Sequence, residues 1–288
     1  MFLISPLYVT YSPKNYQLWY HRRALLEFQF DKNGKEGDND EVLLLDVANK
    51  ELSYVDKILN DDSKNYHAWS HRQWIIKTVN HSQLWINEIE YSHTQIISDV
   101  RNNSAWNQRW FAVHEGKNTI AMMNNHQQQI LSFDKAKEEA SYALSGANVD
   151  IYNESPWRYL IGILMEQWRY ANSNGGGDAT TITKVTCLIE ENIGKIRDMK
   201  KSYEDQTPPT TDDDDDHHRP TCPSVCLIAA LVDLLELCTY DKALLNEAKA
   251  LVGILIVEDP IRRKYWRMRE MYISKLLLSV SSVHEQKK

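Results

Sequence analysis

The sequence predicts an all-α protein, a right-handed αα-hairpin solenoid of the tetratricopeptide-like kind. Three observations carry that prediction. A tryptophan-centred segment recurs along the chain, its spacing matches helix–turn–helix repeats, and apolar residues between copies step by three and four. A single superhelical repeat domain over residues 1–288 follows, with insertions near 31–40, 171–179 and 202–220.

Four segments align on Trp: Asn15-Tyr-Gln-Leu-Trp19-Tyr-His-Arg22, Asn65-Tyr-His-Ala-Trp69-Ser-His-Arg72, Asn102-Asn-Ser-Ala-Trp106-Asn-Gln-Arg109 and Asn153-Glu-Ser-Pro-Trp157-Arg-Tyr-Leu160. A weaker fifth is Arg262-Arg-Lys-Tyr-Trp266-Arg-Met-Arg269. Asn stands four places before Trp in four copies, and Arg three places after it in four. The gaps between tryptophans are 50, 37, 51 and 109 residues. The shortest is the bare unit, the next two are a unit plus a loop, and the longest hides a copy. That copy is placed near Pro223-Ser-Val-Cys226, with Cys226 at the Trp position.

In chain order, Asn15 to about Phe30 reads as the second helix of a hairpin. Thirteen residues precede Lys14, and Pro6 and Pro13 interrupt any helix among them. Asp31 to Asp40 is rich in Asp, Asn, Lys and Gly, and is expected to form a surface insertion. Leu44, Ala48, Leu52, Val55 and Leu59 make one helical face before Trp69, and Ile86, Ile89, His93, Ile96 and Val100 another before Trp106. Each Asn before a Trp is an expected N-cap, because its side-chain oxygen can accept a free N–H of the first turn. The Trp then packs between hairpins, and the Arg one turn later shares its face. Asn172 to Asp178 is an expected flexible linker. Ser202 to Pro220, with five consecutive Asp, cannot bury apolar surface and is expected to be disordered.

Composition narrows the function. A formal charge of -7 argues against nucleic acid as the main partner. Nine Trp and fifteen Tyr against five Phe suit interfaces that are part dry and part wet. Cys187, Cys222, Cys226 and Cys238 are too few for a disulfide framework, and Cys187, Cys226 and Cys238 lie among apolar neighbours; buried free thiols in a reducing compartment are expected. No signal peptide, no run of roughly 20 apolar residues and no C-a-a-X ending is seen, so a cytoplasmic chain is expected. His217 and His218 with Cys222 and Cys226 fit no standard zinc spacing. No phosphate-binding loop, nucleophile elbow or metalloprotease motif occurs.

Lys14-Asn-Tyr-Gln-Leu-Trp-Tyr-His-Arg-Arg23, Lys64-Asn-Tyr-His-Ala-Trp-Ser-His-Arg-Gln-Trp74 and Arg101-Asn-Asn-Ser-Ala-Trp-Asn-Gln-Arg109 resemble successive repeats of the protein farnesyltransferase / geranylgeranyltransferase type I α subunit. The resemblance runs from Lys14 to about Tyr272. It implies a heterodimer that moves an isoprenoid from its diphosphate to the cysteine of C-a-a-X substrate proteins. It also implies a β subunit that holds the zinc, with magnesium as a further cofactor. By the same resemblance Lys14 contacts the diphosphate leaving group as the catalytic cation, Tyr16 and His67 lie beside that diphosphate, and Gln17 receives the peptide carboxylate. From the repetition alone, Lys14 is a solvated turn lysine, since Lys64 and Arg101 occupy the same place. A non-catalytic helical-repeat adaptor and a Rab geranylgeranyltransferase α subunit are the rival expectations.

Overall fold

The structure is a computed structural model and describes residues 12–33, 40–121, 130–173, 177–206 and 224–285. Those residues form helices and no strand. Two compact units result, residues 1–129 and 130–288. The first holds α1 (Tyr16–Asn33), α2 (Asp40–Asp61), α3 (Tyr66–Val79), α4 (Ser82–Ser98) and α5 (Asn103–Ala121). The second holds α6 (Phe133–Val149), α7 (Glu154–Ala171), α8 (Ala179–Gln206), α9 (Val225–Leu235), α10 (Lys242–Glu258) and α11 (Arg263–Glu285). Within the units α2 pairs with α3, α4 with α5, α6 with α7, α8 with α9 and α10 with α11. The helical-hairpin reading of the sequence therefore holds.

The recurring residues explain how neighbouring hairpins join. Asn65 caps α3 by accepting the Ala68 N–H at 3.1 Å, while its amide donates at 3.3 Å to the carbonyl of Pro13. That carbonyl also accepts the Trp19 indole N–H at 2.7 Å. The arrangement repeats one hairpin later, where the Ser63 carbonyl takes Trp69 Nε1 at 2.9 Å and Asn102 Nδ2 at 3.0 Å. In the second unit the Ile151 carbonyl takes Trp157 Nε1 at 2.9 Å and Ser224 Oγ at 2.7 Å. Ser224 is thus the Asn equivalent and the N-cap of α9. The hidden copy consequently centres on Ile228, which is fully buried, and not on Cys226, two places earlier.

A second recurring feature lies on the first helix of each hairpin. Glu51, Glu88 and Glu139 stand eighteen residues before Trp69, Trp106 and Trp157, each followed three places on by Tyr. All three carboxylates are buried. The residue two after Trp meets its own hairpin's Glu: His71 Nε2 to Glu51 at 2.8 Å, Gln108 Nε2 to Glu88 at 2.5 Å, Tyr159 Oη to Glu139 at 2.8 Å. The Arg three after Trp reaches forward to the next hairpin. Arg22 binds Glu51 through Nε at 2.5 Å and Nη2 at 2.6 Å, over the Tyr54 ring at 3.7 Å. Arg72 binds Glu88 through Nε at 2.7 Å, over the Tyr91 ring at 3.5 Å. An ion pair removed from water persists more readily when further hydrogen bonds reach it, and each of these Glu carboxylates accepts a second donor from its own hairpin.

Polar core residues also displace one predicted face. Helix α4 buries Leu84, Trp85, Glu88, Ser92 and Ile96, whereas Ile86 is exposed. Counting only apolar residues had rotated that face, because Glu88 and Ser92 belong to it. The face of α2 stands as predicted, with Ala48, Leu52, Val55 and Leu59 buried and Leu44 half-buried. The insertion expected at 31–40 is narrower than its sequence suggests, since α1 runs to Asn33 and α2 starts at Asp40. Likewise α8 continues to Gln206, and Tyr203 meets Tyr152, oxygen to oxygen, at 2.5 Å. Ser202 to Gln206 is therefore ordered helix, while residues 34–39, 174–176 and 207–223 lie outside the described residues. Cys187, expected to be buried, is exposed; Cys226 is half-buried and Cys238 buried, all as free thiols.

The closing hairpin departs from the repeat pattern. Trp266 Nε1 donates to the Asp259 carboxylate at 2.8 Å instead of to a carbonyl, and Ala248 stands where the Glu would be. Arg269 reaches back to Glu236 at 2.8 Å and Asp233 at 2.9 Å, and Ile273 is buried while Met268 and Tyr272 are exposed. Position seven after Trp266 is buried as it is in the other Trp-bearing helices, whereas positions two and six, buried in α3, α5 and α7, are exposed here.

Glu88→Ala should destabilise the protein by about 3–5 kcal/mol, because Arg72 keeps its buried charge and loses its main partner. Urea unfolding followed by circular dichroism measures this. For Glu51, burial pushes the carboxyl up, but hydrogen bonds from His71 and Arg22 and the Arg22 charge outweigh it and hold it low. A carboxyl held lower in the folded than in the unfolded chain adds stability that is whole above the ordinary carboxylate range, about pH 4, and is lost as pH falls through the folded value. Wild type should therefore lose stability more steeply than Glu51→Gln as pH falls from about 5 to 3.

Candidate functional site

The residues proposed from the resemblance sit at the N-terminal ends of α1 and α3. Asn15 accepts the Gln17 N–H at 3.0 Å, which opens α1 with Tyr16 and Gln17 both exposed. His67 lies one residue inside α3, half-buried, its ring edge-on to exposed Tyr66 with centroids 5.6 Å apart. Lys14 stands in the turn before α1, 83% exposed, with Nζ 3.6 Å from Asp62 Oδ2 in the turn before α3. The two turns are also tied by Asn65 reaching the Pro13 carbonyl. All four residues thus gather on neighbouring helix ends joined by one hydrogen-bonded carbonyl.

The helix ends of this rim carry partial positive charge. Helices α1, α3 and α5 carry no acidic residue in their first turns, so the partial positive charge of each N-terminus stays uncompensated there. Lys14, Lys64 and Arg101 stand in the three preceding turns, where Asp62 pairs with Lys14 and Asp99 with Lys64. Helix α7 differs, with Glu154 in its first turn.

Lys14 is not singled out by its ion pair. Lys64 Nζ lies 3.7 Å from Asp99 Oδ2, the same contact one repeat later. A cleft of about 610 Å³ between residues 148–152 and the end of α8 belongs to the second unit, and none of the four candidate residues lines it. Residues 217, 218 and 222, of the discounted histidine–cysteine grouping, lie outside the described residues.

The residues that sequence reasoning missed are Glu51, Glu88 and Glu139. Their signal was present as a Glu-x-x-Tyr pair eighteen and fifteen residues before three tryptophans. They hold hairpins together and, in the first unit, fix the helices whose ends form the rim.

Known proteins place these repeats. The description "Protein prenyltransferase alpha subunit repeat" fits residues 8–29, 48–79 and 85–115. The geranylgeranyl transferase type-2 subunit alpha of Saccharomyces cerevisiae is 27% identical over 151 residues, covering 51% of this chain and 41% of that protein. The protein farnesyltransferase/geranylgeranyltransferase type-1 subunit alpha of Arabidopsis thaliana is 29% identical over 195 residues, covering 66% and 50%. The chain thus spans half or less of the length of these two relatives. Among solved structures, Candida albicans protein geranylgeranyltransferase-I complexed with GGPP matches in fold with a TM-score of 0.62 at 21% identity, over 92% of this chain and 69% of that one.

Lys14→Ala and Lys64→Ala should each change the stability of the isolated chain by less than about 1 kcal/mol, since both pairs are solvent-exposed. Thermal unfolding of the two variants beside wild type measures this. Three stretches of the chain match that repeat, and the chain is similar to protein prenyltransferase alpha subunits of both the type-1 and the type-2 kind.

Proposed function

We propose that the chain is the α subunit of a heterodimeric protein prenyltransferase of the farnesyl/geranylgeranyl type I class. In this reading it pairs with a β subunit and helps move an isoprenoid from its diphosphate to the cysteine of a C-a-a-X protein. The observation that carries the proposal is the rim itself. Lys14, Tyr16, Gln17 and His67 meet on adjoining, positively polarised helix ends, in a chain carrying this repeat.

The chemistry asks for such a rim. As sulfur bonds to the isoprenoid carbon, the carbon–oxygen bond breaks and negative charge gathers on the departing diphosphate. Fixed cations and N–H or O–H donors stabilise that charge without having to reorganise. Lys14 supplies a point charge, Tyr16 an O–H donor and His67 an N–H donor. Gln17 can donate to a terminal carboxylate without adding charge. Among the described residues no group of three or more His, Cys, Asp or Glu could hold a metal ion. In this reading zinc activation of the thiol belongs to the β subunit, and magnesium to the diphosphate. A cytoplasmic setting is part of the proposal; no described helix is long and apolar enough to cross a membrane.

A second reading, the α subunit of a type-2 enzyme acting on Rab proteins, is supported by the likeness to the Saccharomyces cerevisiae type-2 subunit. A non-catalytic adaptor is the third. Co-expression with a β subunit of each class, followed by transfer to a C-a-a-X peptide or to a Rab protein, separates all three. Pairing without transfer to either acceptor would leave the adaptor.

In an active heterodimer, Lys14→Ala should slow single-turnover transfer. Loss of one preorganised donor costs on the order of 10²–10³ in rate. The lower end is expected, because a partner's cations also hold the diphosphate. Lys64→Ala is the internal control. Equal rates for both variants and wild type would make Lys14 a turn residue.

A further inference from the structure

The rim holds a carboxylate that the proposed transfer does not use. Asp62 stands in the turn before α3, seven residues ahead of Trp69. Its backbone is fixed on both sides. The N–H donates to the Ile58 carbonyl at 2.9 Å, and the carbonyl accepts the Asn65 N–H at 3.0 Å. Its Oδ1 accepts the Lys64 N–H at 3.3 Å, which leaves Oδ2 facing Lys14 Nζ at 3.6 Å. That last distance is an ion-pair contact, too long for a hydrogen bond. The Asp62 side chain is 33% exposed and that of Lys14 83%. The fold therefore holds the anion, while the cation rides on a solvated, flexible stem.

A fixed carboxylate beside a phosphate-binding cation opposes ground-state binding. A diphosphate that reaches Lys14 has to replace Asp62 as its partner, and it then lies near an immobile negative charge. Breaking the exposed pair costs little, so a modest rise in the ligand's charge is enough to win the ammonium. Such a rise comes when the carbon–oxygen bond breaks. An interaction made equally with substrate and transition state lowers KM without raising kcat, whereas one made only in the transition state raises kcat. A lysine held back by Asp62 until the leaving oxygen becomes charged belongs to the second kind.

We propose that Asp62 is a positioning residue for Lys14. It competes with the bound diphosphate for the ammonium, and so confines the help of Lys14 to the transition state. This rests on the reading that Lys14 meets the departing diphosphate. Asp99 is the built-in comparison. It stands seven residues ahead of Trp106, with Oδ1 on the Arg101 N–H at 2.9 Å and Oδ2 3.7 Å from Lys64 Nζ. The two aspartates share one turn chemistry, and only the ligand separates their roles.

Asp62→Asn and Asp99→Asn test this in the active heterodimer. Each keeps the turn's side-chain acceptor and removes only the charge, and circular dichroism verifies folding. The probe is inorganic pyrophosphate, titrated by calorimetry, beside transfer kinetics at varied isoprenoid diphosphate. Asp62→Asn should bind pyrophosphate about three- to tenfold more tightly and lower KM by a similar factor, with Asp99→Asn within about twofold of wild type. The single-turnover rate at saturation should not rise. In a Lys14→Ala background, which itself binds pyrophosphate more weakly, most of the gain from Asp62→Asn should vanish. Equal effects of the two Asn variants would overturn the proposal, as would unchanged or weaker pyrophosphate binding by Asp62→Asn. A gain that persists in full without Lys14 would also overturn it, since the carboxylate then acts on the ligand directly. If Lys14→Ala alters neither affinity nor rate, the reading of Lys14 falls and this proposal with it. If Lys14→Ala acts and Asp62→Asn does not, this proposal alone falls.

Discussion

One carbonyl oxygen ahead of α1, of α3 and of α7 accepts two hydrogen bonds, and the stacking of hairpins depends on it. A backbone carbonyl has two lone pairs, and in a buried turn both need donors. At Pro13 and Ser63 the hairpin's own indole fills one and the following hairpin's asparagine fills the other. Each Asn therefore works at both ends, its oxygen capping its own helix and its nitrogen grasping the repeat before. Ser224 performs the same double task with one hydroxyl, accepting from Leu227 and donating to Ile151. Any residue at that place must be short, able to cap, and able to donate; those requirements confine the choice to very few side chains.

The buried glutamates extend the same logic to charge. Glu51 and Glu88 each sit between an arginine behind and a polar side chain of their own hairpin. Removing such a carboxylate from water is tolerable because the guanidinium and the second donor replace the lost hydration. Neighbouring hairpins thus share a neutralised pair that neither could bury alone. This is the nearest-neighbour coupling that makes repeat proteins approximately one-dimensional in their energetics.

The parts legible in the sequence were those whose chemistry is local. Asn as N-cap, Trp one turn in and Arg beyond it repeat at fixed short offsets, and their helical setting followed directly. Less legible were residues whose partners are distant. Glu51, Glu88 and Glu139 recur as regularly as Trp, yet a search for apolar periodicity passes over a charged residue on an inward face. The same bias turned α4 toward Ile86 and away from Glu88. In the hidden repeat, attention to cysteine drew the centre two residues early, where the capping serine was the better guide. For the rim, the helix ends were readable, but Lys14 and Lys64 have equivalent sequence contexts and equivalent ion pairs. Only the resemblance to known repeats distinguishes Lys14, Tyr16, Gln17 and His67.

The shared-carbonyl and shared-carboxylate bonds between adjoining hairpins of the first unit fall in a short window, from the Glu eighteen residues before a Trp to the Arg three after it. Chain outside these windows makes none of the shared-carbonyl or shared-carboxylate bonds. Closing a longer loop between elements already held in place adds little free energy, growing only with the logarithm of its length. The unequal spacings of 50, 37 and 51 residues between successive tryptophans are then what such an architecture permits. Evolution can lengthen, shorten or decorate the connecting segments one at a time, while the angle and distance between neighbouring hairpins stay fixed.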